Sequence, residues 1–435
     1  MSTWSGRLPR FFLPRRQAYV LLHRWTGLTI ALFLTIASLT GIALAFEDEL
    51  ECWLAPQLQL AAPADGAAAT FLSPYELQTR VQAALGPGVR VESLMLHPRP
   101  GRSLMWRVQA AGDAQGKPVR IGFNQVFVNP YDGAILGTRD SEAISLRPQQ
   151  LMPFLFKLHH SLALPGIWGT LLMGVISVIW TLDCFVGIYL TWPLQRPYLN
   201  RWGKAWKIKL GSSNYRFIFD LHRAGGLWLW LMLLLFAWSS VMFNLRQQVY
   251  EPVMSAIFKF DNSWRGAPRL PKPMAAPPLS WPQAHALARE RMQTYAQAQG
   301  FVIDFEELLA FDGRRGLYAY LVHSNLDLRK DTGNTGILID ARSGELRGHW
   351  LPTGDVGGNT FSNWIGALHM GHVFGLPYRI FISLVGLMVA VLSVSGVYIW
   401  WKKRKGRAGT TSNPEKIGKS EKRAIPKPAP QDSGI

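Results

Sequence analysis

The chain has 435 residues, 48% of them hydrophobic, and a formal net charge of +18, enough length for two or three ordinary domains and enough apolar content to put part of it in lipid. Cys52 and Cys184 are its only thiols, which excludes a disulfide framework, a thiolate cluster and a Cys-x-x-Cys-His attachment site. No Gly-rich dinucleotide fingerprint, P-loop or His-Glu-x-x-His helix occurs, so the residues offer no seat for NAD(P)H binding, ATP hydrolysis or metalloproteolysis.

A basic arm (1–17) leads into a first predicted span, 18–46, in which the window 25–46 carries no charge and covers roughly 33 Å at about 1.5 Å per residue. Ala43-Leu44-Ala45 resembles a signal-peptidase site, but the apolar run is longer than a leader core and a near-copy recurs at 222–245, which predicts a retained span. Residues 47–150 are polar: an amphipathic helix from Ser73-Pro74-Tyr75-Glu76-Leu77 to about Leu85, strands at 89–96, 103–110 and 119–128, and a closing turn from Asn129 to Leu136. A short apolar helix and a second span fill 151–194, where Gly166–Leu194 carries only Asp183, and a loop covers 195–217. The third span (218–246) precedes a second polar region (247–360) with a Pro-rich connector at 264–282, a helix near 281–299, strands near 301–311, 316–323 and 335–340, and a closing Asp340–Leu346 turn. Another short apolar helix and a fourth span fill 361–401, and the Lys-rich tail (402–435) reads as disordered.

Orientation follows from Lys and Arg. Residues 1–24 hold five basic and no acidic side chains, 193–219 six and none, and the tail from Lys402 ten against three. The large loops are balanced, ten basic to eleven acidic over 47–158 and thirteen to twelve over 246–372. Both termini are therefore expected in the cytoplasm and both loops outside, in the periplasm of a bacterial inner membrane. The positive charge reads as topology and attraction to anionic membrane lipid, with no nucleic-acid partner.

Leu22-His23-Arg24-Trp25-Thr26-Gly27-Leu28 returns 199 residues later as Leu221-His222-Arg223-Ala224-Gly225-Gly226-Leu227. After each, the chain crosses a polar region and comes back through Lys157-Leu158-His159-His160 or Ala367-Leu368-His369-Met370. The expected fold is a membrane protein with four main transmembrane helices in two pseudo-symmetric halves, each carrying an α+β domain outside.

The helix-then-strands module with its Asn129–Leu136 or Asp340–Leu346 turn resembles a PepSY domain. Two such modules between His-bearing spans resemble the PepSY-associated transmembrane family over roughly residues 15–405, and within it the ferric-siderophore reductases of the FoxB type. The resemblance implies an oxidoreductase of the inner membrane with two haem b groups per chain, which reduces ferric siderophores such as ferrioxamine in iron uptake. Its electron donor is then another molecule.

Imidazole is a good axial haem ligand, and two facing helices must each supply one. A pseudo-twofold arrangement would pair His23 with His222 and His159 with His369, with His160, Met370 and His372 near enough in sequence to substitute. Taken singly, a histidine at a membrane boundary is more often interfacial. Arg24, Arg223 and Arg379 fit haem propionates or lipid headgroups. Asp183 fits a proton relay, a hydrogen bond to a neighbouring helix or a neutral acid. Gly187-Ile188-Tyr189 and Gly396-Val397-Tyr398 match and read as close helix packing. His369 lies eleven residues before Ile380, so breaks at Pro165-Gly166 and Gly375–Pro377 are expected between each histidine and its span. The competing functions are a transporter of iron–siderophore complexes and a regulatory membrane protein whose outer modules bind a partner.

Overall fold

A computed structural model describes residues 12–64, 70–111, 121–264 and 268–411. The start of the basic arm, the tail from 412, the opening of the strand predicted at 119–128 and part of the Pro-rich connector lie outside the described residues.

Helix α1 (Phe12–Leu44) carries the first apolar run without interruption, and Thr29, Thr35 and Thr40 return their hydroxyls to carbonyls one turn back. Arg16 donates to the carbonyls of Leu190 and Trp192, at the C-terminal end of the second span, where a cation is favoured. Helix α2 (Glu47–Leu54) opens on Glu47, Asp48 and Glu49, the charge sign a helix N-terminus prefers, and α3 (Pro56–Gln59) follows. Ser73 accepts from Glu76 N at 3.2 Å to cap α4 (Pro74–Leu85), and Gly86, at φ +74°, ends it. Next come β1 (Val89–Val91), β2 (Ser93–Met95), β3 (Leu104–Ala110), β4 (Gln125–Val128) and β5 (Ile135–Arg139). Helices α5 (Pro148–Ser161), α6 (Trp168–Thr191), α7 (Tyr198–Trp202), α8 (Asn214–Trp228), α9 (Trp230–Asn244) and α10 (Glu251–Met254) lead to α11 (Trp281–Gln299). The chain closes with β6 (Ile303–Asp312), β7 (Leu317–Ser324), β8 (Thr335–Asp340), β9 (Leu346–Trp350), α12 (Gly357–Met370) and α13 (Gly375–Thr411).

Three stretches, Arg16–Leu44, Trp168–Thr191 and Gly375–Lys405, are long and apolar enough to cross a bilayer, and α8 with α9 is so only as a pair, bent by 69°, which makes three spans or, with the pair taken as one, four. The chain is a multi-pass membrane protein carrying β-rich domains. The bend departs from the single helix expected over 218–246. Leu229 leaves helical geometry (φ −106°, ψ 8°) just after Gly225-Gly226, where the missing side chains make helix least favourable. The expected breaks before α6 and α13 are present. Leu162, Ala163 and Phe374 take positive φ beside Gly166, Gly371 and Gly375, at a cost of about 1–2 kcal/mol for each non-glycine residue.

By their internal contacts the residues fall into two compact units, one of Met1–Thr35, Leu182–Trp230 and Met388–Ile435, the other of Ile36–Thr181 and Leu231–Leu387. The second unit contains two antiparallel sheets, β1-β3-β4-β5 and β2-β6-β7-β8-β9. α4 covers the first sheet with Leu77 and Val81 against Trp106 and Val126, and α11 covers the second with Ala284, Ala288 and Met292 against Tyr318, Ile337 and Ile339. The strand expected over 89–96 is in fact two. β1 stays in its own sheet, while β2 pairs with β6 (Ser93 with Ala310, Leu94 with Leu309, Met95 with Leu308). Glu92 bridges the switch, donating its N–H to Arg107 O at 3.1 Å and accepting from Phe311 N at 2.9 Å. The two modules are therefore joined by main-chain hydrogen bonds.

A polar network reinforces that joint. Tyr75 of α4 meets His285 Nδ1 on α11, and His285 Nε2 lies 3.0 Å from Glu306. Arg289 donates to both oxygens of Glu306 at 2.6 and 2.7 Å, and Tyr320 donates to the same carboxylate. Burial alone would raise the Glu306 pKa, but hydrogen bonds from His285, Arg289 and Tyr320 hold it far below the usual carboxylate range.

Candidate functional site

In the first unit, α1 presents His23 and α8 presents His222, with ring centroids 6.2 Å apart and planes at 62°. His23 Nδ1 donates to Asp183 Oδ1 of α6 at 3.0 Å, and Thr26 Oγ1 lies 2.8 Å from the same oxygen. His222 Nδ1 donates to Leu392 O of α13 at 3.1 Å, with Ser395 Oγ at 2.9 Å. Helix α13 can come this close because Gly396 has no side chain: a Cβ there would lie 3.3 Å from His222 Cε1. On α6, Gly187 faces His23 Cε1 in the same way, at an unstrained 3.8 Å.

In the second unit, α5 presents His159 and α12 presents His369, with ring centroids again 6.2 Å apart and planes at 80°. His159 Nδ1 donates to Ala37 O of α1 at 2.8 Å and has Thr40 Oγ1 at 3.1 Å. A Cβ on Gly41 would sit 3.0 Å from His159 Cε1. His369 Nδ1 lies 2.6 Å from Ser239 Oγ, a hydroxyl that itself donates to Leu235 O at 2.7 Å, so the ring is again the donor. Phe236 and Phe243 flank His369 with centroids at 5.1 and 5.4 Å.

All four rings therefore carry their proton on Nδ1, which leaves the Nε2 lone pair for a metal. With a metal–nitrogen bond of about 2 Å and about 1.1 Å from nitrogen to ring centre, two imidazoles trans on one ion have centroids roughly 6 Å apart. Both pairs show that spacing. Neutral imidazoles, each buttressed by an acceptor, form a donor set that fits the two axial positions of a haem iron. The first unit also has an apolar cleft of about 500 Å³ between α1 (Leu28, Ala31, Leu32) and α13 (Val394, Val397, Trp401), whose lining includes neither His23 nor His222.

The alternative ligands are differently placed. His160 is turned back on its own helix, Nδ1 donating to Phe156 O at 2.8 Å, and Met370 is 43% exposed. His372 lies half-buried beyond α12, where burial, with Arg329 nearby, pushes its pKa down to about 4. The arginines expected at propionates divide. Arg223 pairs with Asp220 at 2.8 Å and donates to the carbonyls of Lys204, Ala205 and Lys207, so it fastens the 204–207 segment. Arg379 Nη1 holds Glu49 at 2.7 and 2.9 Å, with the guanidinium over Phe46. Both are occupied by acceptors of the chain itself, because each lies beside an acid that can neutralise it locally. Arg24 is half-buried and has no ion pair among the described residues.

Of the roles open to Asp183, the structure shows the hydrogen bond to a neighbouring helix. Thr40, Ser239 and Ser395 are buttresses the sequence reading passed over. The available signal was spacing: Thr40 and Ser239 are 199 residues apart, as His23 and His222 are.

The family described as PepSY-associated TM region matches residues 20–403. A search of curated proteins finds no match.

Proposed function

We propose, from the premise that this chain belongs to the PepSY-associated TM family, that it is a di-haem oxidoreductase of a bacterial inner membrane that reduces ferric siderophores in the periplasm. The observation that carries this reading is the pair of 6.2 Å imidazole separations, each with Nδ1 already committed. His23 with His222, and His159 with His369, would hold the two haem irons. Haem b held between two such imidazoles would supply one-electron transfer.

The remaining work belongs to the chain. Asp183 would strengthen His23 as a ligand by holding its Nδ1–H on a carboxylate, whereas the carbonyls of Ala37 and Leu392 and the hydroxyl of Ser239 orient the other three rings with less charge. Arg24 is the arginine left to meet a propionate. Two pseudo-equivalent halves account for the matched spacings: 199 residues between His23 and His222 and between Thr40 and Ser239, and 209 between Asp183 and Leu392 and between Gly187 and Gly396. The joined sheets of the second unit form a periplasmic surface on which the siderophore docks. Its hard oxygen ligands favour Fe(III), so one electron per iron loosens the complex and frees Fe(II). A separate donor supplies the electron, since the chain lacks a nucleotide fingerprint.

The test is to reduce the purified protein with dithionite, desalt it under argon and add ferrioxamine with a ferrous chelator present. Reoxidation of the haem bands with matching ferrous chelate is expected. A reduced spectrum that persists against hydroxamate, catecholate and carboxylate ferric complexes alike contradicts the reductase.

A further inference from the structure

Away from the paired histidines, three side chains of the second unit converge at the start of α12. His349 of β9 has Nε2 3.2 Å from Asp261 Oδ2 and 3.6 Å from Asp355 Oδ2. One ligand atom from each residue lies within 4.8 Å of the other two. Metal–ligand bonds of about 2.1 Å at tetrahedral or octahedral angles put neighbouring ligand atoms roughly 3.0–3.4 Å apart, so these donors are nearly at coordination spacing.

The surroundings are built for it. Ser263 donates its N–H to Asp261 Oδ1 at 3.0 Å and its hydroxyl lies 2.9 Å from Oδ2 and 3.0 Å from His349 O, which fixes the carboxylate against β9. Tyr295 packs its ring on His349 at 5.1 Å. Independently, Asn359 is 1% exposed and donates Nδ2 to Asp261 O at 3.0 Å, while its Oδ1 is buried without a partner. This buried acceptor, on a residue that bonds to the main chain of Asp261, is costly unless something donates to it.

We propose that Asp261, His349 and Asp355 form a binding site for a first-row divalent cation, with solvent completing the coordination. One imidazole and two carboxylates suit Zn²⁺, Fe²⁺ or Mn²⁺ better than Ca²⁺, which wants oxygen alone. The side chains are 23–29% exposed, so the site exchanges with the medium and is not a sealed structural centre. Fe²⁺ is the product under the function proposed above, but the ligand chemistry does not depend on that reading.

Full-length protein in detergent, stripped with a chelator, is titrated calorimetrically with Zn²⁺, Mn²⁺ and anaerobic Fe²⁺. A saturable site for at least one of them is expected, weakened about 10- to 100-fold or more in Asp355→Asn and in His349→Gln. Haem content is recorded alongside and stays unchanged in both variants, which keeps failure of the cation site distinct from failure of the haem reading. Asp355 lies in an exposed loop, so its variant folds and decides the matter even where His349→Gln does not. Absence of saturable binding, or binding that Asp355→Asn retains in full, overturns the proposal.

Discussion

Each of the four paired imidazoles is defined by what holds its Nδ1. Three rings donate to neutral oxygens and one, His23, donates to a carboxylate. A carboxylate partner makes the ring a stronger donor to the metal and favours the oxidised iron. Asp183→Asn is therefore expected to leave two haems bound and to raise the midpoint potential of one of them. Each tenfold change in relative affinity for the two oxidation states amounts to about 59 mV, and potentiometric titration reads it. The four histidines were legible because a phrase recurs. Their hydroxyl partners were not, because a Ser or Thr in an apolar helix ordinarily bonds to its own preceding turn, as Thr40 also does. The ion pairs of Arg223 with Asp220 and of Arg379 with Glu49 were likewise not read from the sequence, because composition places a guanidinium without showing which acid it meets.

At the scale of elements, glycines set how near a helix comes to a ring. Gly41→Val brings branched methyls into a space where the Cβ alone lies 3.0 Å from His159 Cε1. It is expected to cost one haem while the His23–His222 site keeps its own. Gly187→Ala, whose Cβ meets His23 Cε1 at an ordinary 3.8 Å, is expected to retain both; pyridine haemochrome analysis distinguishes the two outcomes. Sequence matching had marked Gly187 and Gly396 as packing residues, and in the structure each faces the Cε1 edge of an imidazole, closely only at Gly396. The helices of the sheet modules and the strands expected near 103–110, 301–311, 316–323 and 335–340 fell close to their expected limits, since period-2 and capping signals are local, whereas the strand expected over 119–128 is confined to Gln125–Val128. The crossing of β2 to β6 was invisible because alternation identifies the face a strand buries and not the neighbour it pairs with. The bend at Leu229 was hidden by apolarity that runs unbroken through 224–245.

For the molecule as a whole, the exchanged strand and the Tyr75–His285–Glu306–Arg289 network make the two sheet modules one body. The Glu306 carboxyl titrates lower when folded than its unfolded value of about 4.3. Its contribution to stability is therefore complete above that unfolded value and is lost as pH falls through the folded one. Thermal unfolding followed from neutral toward about pH 3 is expected to show that acid loss in the wild type. Glu306→Gln should be less stable at neutral pH and show a shallower decline; identical acid limbs would contradict the network's role. The central claim is that two imidazole pairs each hold one haem iron. It is tested most directly by haem per chain in the purified protein and in His23→Ala and His369→Ala. The account predicts two haems in the wild type with bis-imidazole spectra, and one remaining in each variant; a colourless wild type, or variants that keep both haems, would contradict it.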